Sequence, residues 1–438
     1  MAERAVRDAA LHNDALREPL HLRELEEQYV LLSESDAEWL GRTHGRHLSL
    51  TRHSPGRETW LVRAGRVCGI IALPSGRRAY IEPRVPVRNI WTLLGLAGET
   101  DSLGWPPGAG ETFSGLVEGV MQMFVREVAL LIERGVAIGY RQTDEVLASV
   151  RGRLDVQRQV RELPASLDRF ACRFAEFTRE TPENRVLAAA LQVVLRAAAG
   201  DTDLRARAAW CLRGIGCRGD VTLQRNDLVA ARVSAATRQY RVPLSLARLL
   251  LQGLGAGHRS GGGPRGAQTP SMLVAMPRLF ERFVCRTLDR SLPPGARVRY
   301  AGHSRPLDDA GHALLTPDAV VEGMAGAVCV VDAKYKPEPT DRHEPSASDI
   351  YQMLAYCVGY GVRHAVLLYP RAMAAPPLRI RRDGFSATIH PMGIDLSGEA
   401  HTLRTQGEVA CARIAELAGL AVPVAAERGQ LSLVVTGR

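Results

Sequence analysis

No C-x-x-C pair occurs among the eight cysteines of this chain. That absence excludes a zinc ribbon. The scatter of Cys68, Cys172, Cys211, Cys217, Cys285, Cys329, Cys357 and Cys411 excludes a disulfide framework. Cys211 and Cys217 are the one near pair and read as core or helix-end residues. No apolar run approaches the length of a membrane span. The opening stretch MAERAVRDAALHNDALREPL lacks the apolar segment of a secretory signal. A protein of the reduced cytoplasm is the expectation. Internal repeats are missing, as are a G-x-x-x-x-G-K-[ST] loop to cradle nucleotide phosphates and a G-x-S-x-G nucleophile elbow.

What is present is an ordinary globular composition with a basic balance. Lys and Arg number 56 and Asp and Glu 47, so the net charge is 56 − 47 = +9, with a pI near 9.4. Arginine and alanine dominate. A positive surface favours a polyanionic partner. A length of 438 residues leads to an expectation of two or three domains.

Along the chain, residues 1–30 read as a charged, helix-prone extension and 31–112 as a β-rich domain. Strands fill Glu58 to Val87, with turns at Ala64-Gly65 and Pro74-Ser75-Gly76. Residues 113–254 read as helical. Val117, Val120, Met121, Phe124, Val128, Leu131 and Ile132 keep helical spacing. In TPENRVLAAALQVVLRAAAG, Thr181 is the expected N-cap, Pro182 the first helical residue and Gly200 the stop. The Gly-rich stretch 255–270 reads as a linker. Residues 271–438 read as an amphipathic helix, then strands at 297–303, 314–322 and 328–336. A helix at 348–360, strands at 364–369 and 387–396, and a helix at 406–417 follow. The fold class expected is a multi-domain α/β protein: a β-rich N-terminal domain, an α-helical middle region and a C-terminal mixed-sheet domain.

One hairpin carries the chemistry. LLTPDAVVEGMAGAVCVVDAKYKP, Leu314 to Pro337, reads as two apolar strands with aspartates inside them. With a loop over 323–327, Glu322 pairs with Val328, Val320 with Val330 and Asp318 with Asp332. Directly opposed Cβ atoms lie about 4.5–5.5 Å apart. Side chains alternate, so Lys334 shares the face of Asp332, while Ala333 and Tyr335 point away. Opposed carboxylates repel, and a proton, a bridging arginine or a divalent cation would each offset the repulsion. Oxygen-only ligation suits Mg²⁺ or Mn²⁺, completed by water and phosphate. Lys334 can then orient or deprotonate a water, or stabilise developing charge. This is the chemistry of metal-assisted phosphodiester hydrolysis. A salt bridge of Asp332 with Lys334 or Lys336 on a solvated face is the plain alternative. Asp308-Asp309 in RPLDDAGH read as turn residues, and the nearby His303 and His312 lack metal-ligand spacing.

The pattern Pro317-Asp318 … Asp332-Ala333-Lys334 resembles the PD-(D/E)xK nuclease superfamily. Glu281, in RLFERFV, resembles the helical acidic residue many such nucleases add to the metal site. Gln352 and Tyr356, in DIYQMLAYC, resemble the Q-x-x-x-Y motif of the RecB-like branch, and at i and i+4 they share a helix face. LFERFV, TPDAVV, VVDAKYK and SDIYQMLAYC together resemble the McrC family, nuclease subunits of McrBC modified-cytosine restriction systems. VRGRLDV and TPENRVLAAAL resemble that family's middle region, and VCGIIAL … YIEPRVPV its N-terminal region.

The resemblance implies an Mg²⁺- or Mn²⁺-dependent endonuclease acting on methylated DNA. Asp318 and Asp332 would hold the metal, with Glu281 contributing directly or through water. Lys334 would position water and stabilise charge, and Gln352 and Tyr356 would support the site or contact DNA. It also implies an N-terminal region docked to an McrB-like AAA+ GTPase hexamer, with GTP entering only through that motor. Arg151 and Arg153 in VRGRLDV are candidate phosphate or partner contacts. Two other readings stay open: a stand-alone nuclease of defence or repair, and a mainly non-catalytic activator of the motor.

Overall fold

The computed structural model describes residues 18–420, apart from 54–57, 99–104, 107–109, 164–167, 199, 218–222, 224–225, 236, 255–271, 301–303, 337–343, 374 and 383. The expected linker, 255–270, and most of the 1–30 extension lie outside the described residues. Among those residues no helix is long and apolar enough to cross a membrane. Two compact units emerge: Met1–Pro83 with Ser102–Val274, and Arg84–Asp101 with Ala275–Arg438.

The first unit begins with small sheets, which start at Leu20, inside the stretch expected to be a helix-prone extension; the alternating Leu20 and Leu22 bury one face of that first strand. Thr59–Ala64 lies between Glu27–Leu31 and Leu48–Arg52 in an antiparallel sheet. A second sheet runs in the order Leu20–Arg23, Arg78–Glu82, Val67–Ala72, Met272–Ala275. Alternating residues of these strands, among them Leu22, Val62, Ile71 and Ile81, close on Leu40 of the helix Glu34–His44 to form one core. Each such side chain contributes about 1.5–3 kcal/mol by leaving water. Ser33 starts that helix by accepting the Asp36 N–H at 3.2 Å.

The middle of the chain is mostly helical, as expected, but it also holds a sheet. Phe113–Arg134, Pro182–Ala197, Thr202–Ile215 and Arg241–Leu254 are helices. Thr181 caps the second, accepting the Asn184 N–H, with Pro182 in its first turn. Between them, however, Gly139–Leu147 and Phe170–Thr178 pair as antiparallel strands, with Arg153–Leu154 on the far side of the latter. VRGRLDV is therefore an edge strand leading into the helix Val156–Glu162. The aromatics Tyr140 and Phe177 stand exposed on one face of this sheet, while Thr143 and Glu145 take the alternate positions, so its strands lack the apolar alternation of a sheet with one solvated face. Arg173 braces it, 2.8 Å from Asp144 and 3.1 Å from Asp155.

The second unit gathers residues expected in two different domains. The helix α1 (Val87–Ala97) packs on α2 (Met276–Ser291) rather than joining the N-terminal sheets. Buried Asn89 donates from Nδ2 to the carbonyls of Leu396 and Gly398, both at 2.7 Å. The chain continues through β1 (Arg297–Tyr300), β2 (Arg305–Pro306), β3 (Leu314–Leu315), β4 (Ala319–Gly323) and β5 (Gly326–Ala333). Then come α3 (Ala347–Tyr360), β6 (His364–Tyr369), β7 (Leu378–Arg382), β8 (Phe385–Gly393) and α4 (Thr402–Leu417). Six strands form a mixed sheet in the order β1-β4-β5-β6-β8-β7. β5, β6 and β8 run parallel and the other pairs antiparallel.

Met353, Tyr356 and Cys357 of α3 cover one face, packing on Val320, Val330, Leu367 and Ile389. Two differences from expectation have simple causes. Pro317 cannot donate to a ladder, so the strand expected over 314–322 breaks at 316–318. The polar edge strand β7, LRIRR, carries too little apolar signal to be read in advance.

Candidate active site

The β4–β5 hairpin keeps the expected register where it matters. Val320 faces Val330 and Ala319 faces Val331, so one further step sets Asp318 against Asp332. Asp318 sits just before β4, and its Oδ2 accepts the backbone N–H of Ala333 at 2.7 Å. At the far end the register shifts. A bulge after Val321 makes Glu322 face Ala327, and only Met324 and Ala325 separate the strands, not five residues. Gly326, at φ +117°, permits that turn. Glu322 is held by Arg297 at 2.6 Å and Arg299 at 2.7 Å, which anchors the hairpin away from the acids.

Asp332 is 2% exposed, and Lys334 Nζ lies 2.6 Å from its Oδ2. Burial, then the charge of Asp332, pushes the Asp318 carboxyl up to about 7. The Ala333 N–H and Lys334 oppose that rise. Burial also raises Asp332, against the pull of Lys334. The site thus holds two carboxyl groups whose shared charge is costly unless a proton or a cation offsets it.

Glu281 approaches from α2. Its carboxyl is raised, chiefly by burial and also by Asp332, with Arg278 opposing. The same helix touches Asp318 directly, where the Cys285 thiol donates to the Asp318 carbonyl at 3.5 Å. Among the described residues, no three His, Cys, Asp or Glu side chains enclose a point fit for a metal ion. Glu281 therefore stands beside the aspartate pair without completing a three-carboxylate cage. The pair itself fits Mg²⁺ or Mn²⁺, which keep water and substrate oxygens for their remaining positions.

Gln352 and Tyr356 come together as the helical spacing requires. Gln352 Nε2 donates to Tyr356 Oη at 2.7 Å, and Tyr356 Oη donates to the Thr316 carbonyl at 3.1 Å. Tyr356 thus pins the segment that delivers Asp318. Burial, then Asp332, pushes its hydroxyl up to about 12, so it remains a donor.

The sequence reading missed Asp349. This residue is 4% exposed, and its Oδ2 lies 2.6 Å from Lys336 Nζ and 3.0 Å from Tyr369 Oη. Burial alone would raise its carboxyl, but the bonds from Lys336, Ser346 and Tyr369 outweigh it and hold it low. A signal for this cluster was present in the composition. Lys334 and Lys336 are the only lysines in the chain, so 56 − 2 = 54 basic residues are arginine.

Sequence comparison adds a family. A profile described as "McrBC 5-methylcytosine restriction system component" matches residues 62–370. No curated protein matches the chain. Among solved structures, the chain is similar to one in the refined half-complex of Thermococcus gammatolerans McrB AAA+ hexamers with bound McrC. That match has 18% identity and a TM-score of 0.53, covering 90% of this chain and 100% of the other. A chain in the cryo-EM structure of the Thermococcus gammatolerans McrBC complex is also similar. It has 18% identity and a TM-score of 0.40 over 62% of this chain and 88% of that one. At such identity the likeness is one of fold.

Proposed function

Since the chain belongs to the McrBC 5-methylcytosine restriction system family, we propose that it is the McrC-type subunit, a divalent-cation-dependent DNA endonuclease. The observation that carries this is the opposed pair Asp318 and Asp332 with Lys334 2.6 Å from the latter. Its partners are methylated DNA and an AAA+ GTPase hexamer of the McrB kind; the similar assembly joins McrB AAA+ hexamers to bound McrC.

Asp318 and Asp332 would hold Mg²⁺ or Mn²⁺, and Glu281 would contribute through a water. The cation supplies Lewis-acid polarisation of the scissile phosphate and a more acidic water. Asp318 is tied to the Ala333 N–H through Oδ2, which would leave its other oxygen for the cation. Lys334 orients the attacking water and offsets charge growing on the phosphate oxygens. Tyr356 and Gln352 keep Asp318 in place through Thr316. GTP acts only at the partner, since the sequence has no phosphate-cradling loop of its own.

The test is cleavage of methylated and unmethylated plasmid with Mg²⁺, by this chain alone and with its GTPase and GTP. Cutting that needs partner, GTP and methylation supports the proposal. Cutting by the chain alone would make it an autonomous nuclease. Stimulated GTP turnover without cutting would make it a motor activator.

A further inference from the structure

Every basic residue outside one short segment is arginine, and both exceptions, Lys334 and Lys336, adjoin the candidate site. Arginine and lysine differ in shape: a planar fork with five donors against a compact ammonium with three. A chain that uses arginine 54 times in 56 supports a need for the compact form at these two positions. Lys334 has a role in the proposed chemistry. Lys336 does not yet have one.

The fold treats Lys336 differently from its neighbour. Strict alternation would place it on the face of Asp332 and Lys334. Instead the Lys336 N–H bonds the Lys334 carbonyl at 2.8 Å, a tight three-residue turn about Tyr335. Tyr335 is buried, its ring 6.4 Å from that of Phe280 on α2, which fixes the turn. Lys336 is thereby aimed at the start of α3. Its Nζ lies 2.6 Å from Asp349 Oδ2 and 3.3 Å from Ser346 Oγ. Tyr369 locks Asp349 from the other side.

Two of the three ammonium donors are thus directed, and the side chain remains 38% exposed, against 21% for Lys334. The Asp349 carboxylate is buried, so the pair is held inside the fold. A buried ion pair of this kind is a poor source of stability, because desolvation offsets its attraction. It is a good way to hold one cation at a fixed point.

We propose that Lys336 binds a backbone phosphate of the DNA beside the one that is cut, with Asp349 as its positioning residue. This rests on the nuclease reading of the site. The compact ammonium keeps one donor outward while Asp349 and Ser346 hold the other two. A guanidinium there would lay its fork along the Asp349 carboxylate.

Two measurements on the full chain test this. The first needs no variant: acetylation by an N-hydroxysuccinimide ester, read by mass spectrometry, can strike only Lys334, Lys336 and the α-amino group. Bound duplex should protect Lys336. The second is binding of a short labelled duplex in Ca²⁺ across a salt series. Lys336→Gln, which can still bond Asp349, should lower the slope of log affinity against log salt by about 1. The loss should be equal for methylated and unmethylated duplex, since phosphate contacts carry no base information. Equal acetylation with and without bound DNA, or an unchanged slope, would overturn the assignment while leaving the nuclease intact. A parent chain that binds no duplex even with its GTPase and GTP present would overturn both readings. Undiminished cutting by Asp332→Ala would overturn the nuclease reading on which this one rests.

Discussion

Tyr356 reaches from the middle of α3 to the carbonyl of Thr316, 3.1 Å away and two residues before Asp318. A helix motif and a strand motif are thereby one device. The tyrosine does not enter the acid pair; it fixes the segment that leads into it.

Tyr356→Phe therefore removes two hydrogen bonds, those with Gln352 and Thr316, and leaves the ring in the core. The expected cost is about 2 kcal/mol of stability and roughly a tenfold loss of cutting rate. Gln352→Ala, which loosens only the bond to Tyr356, should cost less. Thermal unfolding and single-turnover cleavage measure the two effects separately. Equal rates for Tyr356→Phe and the parent would remove the tyrosine from the site.

Asp332→Ala and Lys334→Ala should each slow cutting by a factor of about 100 or more. Stimulation of the partner's GTP turnover should persist, since neither side chain belongs to the first unit. A plasmid-cleavage assay run beside a phosphate-release assay separates the activities. Loss of both together would mean that the variants have unfolded or that the functions share residues.

The Asp318 carboxyl, with a pKa of about 7 in place of 3.8, gives a pH dependence of known sign. In the folded chain it holds its proton up to about pH 7, whereas the unfolded chain releases it near 3.8. The folded state binds more protons across that window, so this group makes stability fall as pH rises from about 4 to 7. Cation binding needs the deprotonated form, so cutting should decline as pH drops below about 7. Asp318→Asn should remove the stability slope and abolish cutting. Melting temperatures across pH 5 to 8 check the first statement, and initial rates on the parent check the decline.

Asn89→Ala should destabilise the second unit. It leaves the carbonyls of Leu396 and Gly398 without the donor that now reaches both at 2.7 Å. A buried acceptor left unsatisfied costs about 1–3 kcal/mol. Denaturant unfolding gives the value directly, and a change below a few tenths of a kcal/mol would mean that water replaces the side chain.

The acid pair was legible because three local rules coincide. Alternation places every second residue on one face, an antiparallel hairpin opposes its strands, and carboxylates in apolar strands require a reason. The register next to the site follows from these, whereas the turn did not, since one bulged residue shifts it. The helix ends at Thr181 and Ser346 were open to the same local reasoning, one anticipated and one displaced by a residue or two. The sheet over 139–178 was hidden because Tyr140 and Phe177 stand on its exposed face and polar residues such as Thr143 and Glu145 take the alternate positions, which breaks the usual apolar alternation.

The sequence by itself determined the hairpin, the helical Gln-Tyr pair and the family to which the chain belongs. Each is encoded within a few neighbouring residues or in a linear pattern. Only the tertiary structure decided that α1 joins the C-terminal unit, that Tyr356 serves Thr316, and that Lys336 turns away to Asp349. Those outcomes depend on contacts between residues 13 to 309 positions apart. Burial and hydrogen-bond geometry select such contacts, and no local propensity or periodicity records them.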